Sequence, residues 1–177
     1  AEITLESNPG TLDFEKLAGY RRAGINRLSM GLQSACDKEL AMLGRIHNFD
    51  TFVQNYKQAR RAGFENINVD LMSALPGQTV ESWEQTLVKT AELAPEHLSA
   101  YSLIIEEGTP FWNWYGEDAN QTLRPKEMLP LPSEEDERRM YARTREILEQ
   151  YGYHRYEISN YAKDGYACRH NIGYWNR

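Results

Sequence analysis

Carboxylates, amides and hydroxyls recur at every second residue in three short stretches of this sequence. AEITLES (1–7) sets Glu2, Thr4 and Glu6 against Ile3 and Leu5. NRLSMGLQ sets Arg27, Ser29, Gly31 and Gln33 against Leu28, Met30 and Leu32, and NINVDLM sets Asn66, Asn68 and Asp70 against Ile67, Val69 and Leu71. A period of two is the period of a β-strand. Each stretch therefore offers an apolar face to packing helices and a second face of hydrogen-bonding groups. Left buried without partners, each such group costs a few kcal/mol. A closed eight-stranded barrel fills its interior with bulky apolar side chains, so these faces are expected to line a wet or ligand-filled cavity. Carboxylates accept from amines and hydroxyls, and an amide both donates and accepts. The chemistry implied is the holding of a polar, hydrogen-bonding ligand.

The surrounding elements are those that would position such faces. HLSAYSLIIE (97–106) reads as a fourth strand, with Tyr101, Leu103 and Ile105 on one face and Ala100, Ser102 and Ile104 on the other. Ser34, three residues before Asp37, has the spacing of a helix-opening capping box. Helices are expected up to about Ala23, over 49–62 with Phe52, Val53, Tyr56 and Ala59 inward, and over 80–93 with Trp83, Leu87 and Ala91 inward. RRAGIN (21–26) and RRAGFEN (60–66) are near copies of one helix-to-strand junction, each with its glycine at the left-handed cap position. Residues 108–132, with four prolines and four aromatics, read as a long loop. Ser133 and Asp136 open a charged helix to about Tyr151, and 153–161 read as a fifth strand. Alternating strands and helices predict a parallel α/β sheet with right-handed crossovers, and ligands bind beyond the carboxyl ends of such strands.

At 177 residues the chain can bury one substantial core, and 26% charged with 41% apolar residues is an ordinary globular composition. A net charge of −6 argues against general affinity for nucleic acid or anionic membranes. No apolar run approaches the roughly 20 residues of a membrane span. Two cysteines, Cys36 and Cys168, are too few for a disulfide framework, which makes a reducing cytoplasm the expected location. The chain opens directly on a strand and stops at Trp175-Asn176-Arg177, and it reads as a piece of a longer protein truncated at both ends.

The segments AEITLESNPGT, GINRLSMGLQS, LGRIH, NVDLMSALPGQT, LSAYSL and YEISNYAKDGYACRHNIGYW together resemble the oxygen-independent coproporphyrinogen III oxidase-like radical S-adenosylmethionine (SAM) proteins. The C-R-H-N-x-x-Y-W ending resembles the HemW-type haem chaperone branch of that family. One departure is Ala74, where the turn more often carries Gly. The resemblance implies a partial TIM-type (β/α) barrel, parallel strands with outer helices, holding a [4Fe–4S] cluster and SAM. It implies that 1–177 are the central and C-terminal part of that barrel, about strands three to six plus an added strand at 153–161. The family's C-x-x-x-C-x-x-C cluster loop and its glycine-rich segment for the SAM amino group are absent from this sequence. Cys36 and Cys168 do not have cluster spacing, so no metal ligand for the cluster is expected here.

The resemblance also assigns roles residue by residue. It makes Glu6, Gln33, Arg45 and Asp70 SAM contacts and sets Ile104 beside the adenine. By themselves, Glu6 reads as a solvated strand-end carboxylate, and Arg45 as a cation offsetting a helix dipole. Asp70 is either a ligand for hydroxyls or half of a buried ion pair, and Ile104 is a core isoleucine. His170 is the expected axial ligand for haem, with Tyr174 and Trp175 as an apolar wall; His47 and His154 compete for that role, and Cys168 is either a thiolate ligand or a small buried side chain. The function implied is a haem chaperone that binds haem or porphyrin and passes it to an acceptor protein. The alternative is the oxidase, in which a SAM-derived 5′-deoxyadenosyl radical abstracts a propionate hydrogen ahead of decarboxylation. A plainer α/β barrel acting on a phosphorylated small molecule would need a glycine-rich phosphate loop at a helix start, which this sequence lacks. Finally, the outer edge of the first strand, near Ile3 and Leu5, is expected either to drive self-association or to be covered by 153–161.

Overall fold

The computed structural model describes residues 1–117, 119–120, 122 and 124–176. Asp118, Gln121 and Leu123 of the 108–132 segment, and the terminal Arg177, lie outside the described residues. Strands β1 (Thr4–Ser7), β2 (Arg27–Gln33), β3 (Ile67–Ser73) and β4 (His97–Ser102) alternate with helices α1 (Phe14–Arg22), α2 (Asp37–Met42), α3 (Phe49–Arg61) and α4 (Val80–Glu92). Then follow α5 (Pro110–Tyr115), α6 (Glu134–Gln150), β5 (His154–Arg155), β6 (Asn160–Ala162) and α7 (Arg169–Trp175).

The first four strands are parallel and lie in chain order, and the full sheet runs β1-β2-β3-β4-β6-β5. This is an open, partial (β/α) barrel. Its core lies between the sheet and the helices. Leu28, Met30, Leu32, Ile67, Val69, Leu71 and Leu98 are fully buried against Leu17, Phe52, Trp83 and Leu87. The opposite parity on β2 and β3 carries Arg27, Ser29, Gln33, Asn68 and Asp70, as the alternation predicts. The twin junctions share more than a glycine. The Arg21 guanidinium donates to the Ile25 carbonyl at 2.7 Å, and Arg60 does the same to Phe64 at 3.1 Å, so each helix's last turn ties down the start of the next strand. Gly24 and Gly63, at φ +98° and +90°, make both turns possible.

Several expectations are corrected. Ser34 does not cap α2: Cys36 holds that position, and Ser34 instead donates to the buried Glu39 carboxylate at 2.5 Å while Asp37 accepts from the Phe49 amide. Tertiary partners outcompete the local box. Strand β4 ends at Ser102, and its faces are reversed from the expected ones. Leu98 and Ala100 pack on the core, while His97, Ser99 and Tyr101 join the polar face beside Asn68 and Asp70. The strand registers on its two buried residues, Leu98 above all, rather than on the isoleucines that follow it. The 108–132 segment is not all loop, since Thr109 caps the short helix α5 through the Trp112 amide.

Residues 153–161 form no single parallel strand. They make a short antiparallel hairpin, β5–β6, whose β6 pairs antiparallel with β4. Nor do they cover β1, which stands at the far edge of the sheet with Ile3 half exposed. The reason is reach. Helix α6 packs along α4 with Trp83 Nε1 donating to Thr144 at 2.9 Å, and only Tyr151-Gly152-Tyr153 separate it from β5. Three residues span at most about 11 Å, while β1 lies three strand spacings of about 4.8 Å beyond β4.

Candidate functional site

The carboxyl ends of β1, β2 and β3 open into a cavity of about 700 Å³ lined by Glu6, Ser7, Asn8, Thr11, Lys16, Tyr20, Ser29, Gly31, Gln33, Asp70 and Tyr101. Its size is that of a small-molecule pocket. Three of the five expected SAM contacts, Glu6, Gln33 and Asp70, share this cavity, contributed by three adjacent strands.

Asp70 is held from below. Asn68 Nδ2 donates to one of its oxygens at 2.7 Å and Ser29 Oγ to the other at 3.1 Å. Burial raises its pKa above the ordinary carboxylate value; hydrogen bonds from Asn68, Ser29 and Ser99 oppose the rise, and the nearby Glu6 carboxylate adds to it. Two carboxylates in one partly desolvated cavity favour a ligand bearing positive charge or several hydroxyl donors.

Gln33 sits at an irregularity in the β2–β3 register with φ +72°, a left-handed conformation unusual for a side-chain-bearing residue. The Tyr101 hydroxyl donates to its Oε1 at 3.2 Å, which leaves its NH₂ group as the free donor. Gly31 makes room for this amide: a Cβ there would stand 2.9 Å from Gln33 Nε2 and 3.3 Å from Asn8 Oδ1. Sequence reasoning missed Tyr101 as a cavity residue. The L98/A100 against H97/S99/Y101 alternation carried the signal.

Arg45 follows α2 and reaches back to Asn8 Oδ1 at 3.4 Å, at the rim of the cavity rather than onto the carbonyls of its own helix. Its charge is felt at Tyr101, where burial raises the phenol pKa and Arg45 lowers it. Ile104 lies beyond the end of β4, is 75% exposed, and does not line the cavity. Below Asp70 the polar face continues. Asn68 Oδ1 accepts from Ser99 and pairs with His97 Nδ1 at 2.6 Å, and His97 Nε2 pairs with the Tyr156 hydroxyl at 2.8 Å. Burial lowers the His97 pKa to about 3, and the charge of Arg27 adds to the effect. With Asn68 nitrogen turned to Asp70, its oxygen needs a donor, so His97 carries its proton on Nδ1.

His170 is elsewhere. It is exposed in the first turn of α7, whose start is fastened to Glu2, ahead of β1. The Glu2 carboxylate accepts from the Arg169 amide at 3.0 Å and from Cys168 Sγ at 3.5 Å. That contact is at the amino ends of the strands, opposite the cavity. Tyr174 and Trp175 form an edge-to-face pair beside it, 66% and 56% exposed. His47 is buried, bonds the Leu32 carbonyl and has a pKa lowered chiefly by burial; His154 faces Asp164 at 3.7 Å. Cys36 lies past the end of β2 and Cys168 at the opposite end of the sheet, and among the described residues no three His, Cys, Asp or Glu side chains group as metal ligands. No helix among them is long and apolar enough to cross a membrane.

The chain is 42% identical over 176 residues to the heme chaperone HemW of Bacillus subtilis, covering 99% of this chain and 44% of that protein. To the heme chaperone HemW of Haemophilus influenzae it is 41% identical over 174 residues, covering 98% and 42%. Its fold matches the coproporphyrinogen III oxidase HemN of Escherichia coli, a radical SAM enzyme, with a TM-score of 0.77 and 28% identity over 93% of this chain and 36% of that one. The chain thus spans less than half the length of these curated relatives. The Radical SAM superfamily model matches residues 1–89, half of the sequence and the part that carries β1 to β3 and every cavity residue named above except Tyr101, and the chain belongs to the radical SAM superfamily.

Proposed function

We propose that this chain is the central and C-terminal barrel portion, about strands three to six plus the added hairpin, of a HemW-type haem chaperone that holds SAM in the polar cavity. The observation that carries this reading is the convergence of Glu6, Gln33 and Asp70 on one cavity at the carboxyl ends of adjacent parallel strands. The donor set suits SAM. Asp70 and Glu6 accept from ribose hydroxyls or the amino group and face its positive charge, the Gln33 NH₂ donates, and Arg45 at the rim pairs with its carboxylate. Bound SAM supplies methionine and adenosyl groups to radical chemistry at a [4Fe–4S] cluster. The cluster's cysteines belong to a part of the protein outside these 177 residues, since only Cys36 and Cys168 are present. Identity of about 42% to HemW, against 28% to the oxidase HemN, favours the chaperone over the oxidase. Haem is then cargo, held at His170 beside Tyr174 and Trp175 and passed to an acceptor protein, in a cytoplasmic setting.

Two titrations test this. SAM is expected to bind the chain, measured by calorimetry, and Asp70→Asn to weaken it about tenfold through loss of a charge-assisted bond. Haem is expected to give a histidine-ligated spectrum that His170→Ala abolishes. A wild-type chain that binds neither ligand overturns the reading.

A further inference from the structure

We propose that the amino-terminal end of the sheet's polar face carries a second site, an oxyanion site built on Arg27 that takes a small carboxylate or phosphate. Arg27 opens β2 on the same face as Ser29, Gly31 and Gln33, at the strand end opposite the cavity, paired in register with Thr4. It is 4% exposed, its Nε is sealed from solvent without a hydrogen-bond partner, and among the described residues no carboxylate lies within salt-bridge distance of it. Desolvating a guanidinium without a counter-charge is strongly unfavourable, and arginine cannot escape by losing its proton.

A second sealed atom without a partner belongs to Asn66. Leu28 pairs with Ile67 and its amide donates to the Asn66 carbonyl at 3.0 Å, so Asn66, one residue before β3, neighbours Arg27 along the sheet, and its Oδ1 is likewise buried and unbonded. The titratable groups around Arg27 do not supply the charge. Asp70 lies beyond salt-bridge distance of Arg27, its two oxygens turned to Asn68 and Ser29. His97 is neutral, and burial raises the Tyr156 phenol pKa, so that group keeps its proton. Glu2 turns one carboxylate oxygen to Cys168 and Arg169 and lies beyond salt-bridge distance of Arg27. The complement of this pair is therefore a small anion with oxygen acceptors, which the arginine fork meets two bonds at a time. Hydrogen phosphate can in addition donate its P–OH to Asn66 Oδ1. The site shares no residue with the SAM cavity contacts and does not rest on that reading.

The test follows the Arg27 Nε–H signal in nitrogen-15 NMR of the whole 177-residue chain, assigned by its disappearance in Arg27→Met. Sodium acetate and sodium phosphate are titrated at constant ionic strength against sodium chloride. We expect a saturable shift with at least one of the two and none with chloride. A response to both with similar affinity assigns a carboxylate-type site, and one to phosphate about tenfold tighter assigns a phosphate site. No shift with either, or an equal one with chloride, overturns the proposal. Arg27→Met is expected to melt no lower than the wild type without anion and to lose the anion-dependent rise in melting temperature; the same rise in both proteins also overturns it. If the variant does not fold, the wild-type titration, assigned through the Arg27 backbone, decides alone.

Discussion

The hydroxyl of Tyr101, on β4, donates to Oε1 of Gln33, on β2, across the whole width of the intervening strand β3. This one bond sets which end of the Gln33 amide faces the cavity. Tyr101→Phe removes it and frees the amide to rotate. A hydrogen bond of this kind contributes about 1 kcal/mol, so SAM affinity is expected to fall about fivefold while the melting temperature barely moves. Calorimetric titration of both proteins checks this; equal affinities would detach Tyr101 from the site.

Gly31→Ala attacks the same amide from beneath. The new methyl would stand 2.9 Å from Gln33 Nε2, so the side chain must leave its place over β2. That nitrogen is the far end of a flexible side chain and Gly31 is not at positive φ, so the fold is expected to lose no more than about 1 kcal/mol. SAM affinity should drop to within about twofold of that of Gln33→Ala. Preserved affinity would show that the Gln33 position is immaterial.

His97 predicts an acid-sensitive term. Its pKa is about 6.5 unfolded and about 3 folded, so between those values the unfolded chain binds a proton that the native state refuses. Stability from this group is complete above pH 6.5 and is lost as pH falls toward 3, on the order of 5 kcal/mol over the whole window. Asp70, with a raised folded pKa, acts in the opposite sense, stabilising as pH falls toward its unfolded value. His97→Gln is expected to flatten the slope of urea-unfolding free energy between pH 6.5 and 4. A slope unchanged from the wild type would refute the neutral, Nδ1-protonated assignment.

Glu39 is a buried carboxylate that accepts from Ser34 at 2.5 Å, Gln78 at 2.9 Å and Ser82 at 2.9 Å, tying the β2–α2 turn to the start of α4. Glu39→Ala strands three donors, and a loss of about 3 kcal/mol is expected in urea unfolding. A loss under about 1 kcal/mol would mean that the turn repacks without it.

Ala74 holds φ +58°, in the left-handed region, where a Cβ costs roughly 1–2 kcal/mol. Glycine removes that strain but loses about 0.5–1 kcal/mol to chain entropy. Ala74→Gly is therefore expected to stabilise by about 0.5 kcal/mol, read from the same unfolding curves; a destabilised variant would contradict the strain.

Much of this molecule is determined locally. Alternation at Leu28/Met30/Leu32 and Ile67/Val69/Leu71 decides both faces of β2 and β3, because side chains in a strand must alternate. The twin RRAG junctions and the Ser133 cap likewise mark their helix ends through bonds formed within a few residues. That Glu6, Gln33 and Asp70 lie on the polar faces was legible for the same reason, and parallel neighbours in chain order bring those faces to one cavity. What local pattern did not decide is whatever depends on partners far along the chain. The facing of β4 turned on Leu98 meeting the core, which brought Tyr101 to Gln33, 68 residues earlier. Ser34 gave up its capping role because Glu39 and α4 were within reach. The last strand became a hairpin on β4 because α6, packed on α4, delivers it there. His170 went to the end of the sheet opposite the cavity because Glu2, 166 residues before Cys168, takes the thiol and the Arg169 amide. Such contacts join groups that only the assembled sheet brings together, and strand alternation has no knowledge of them.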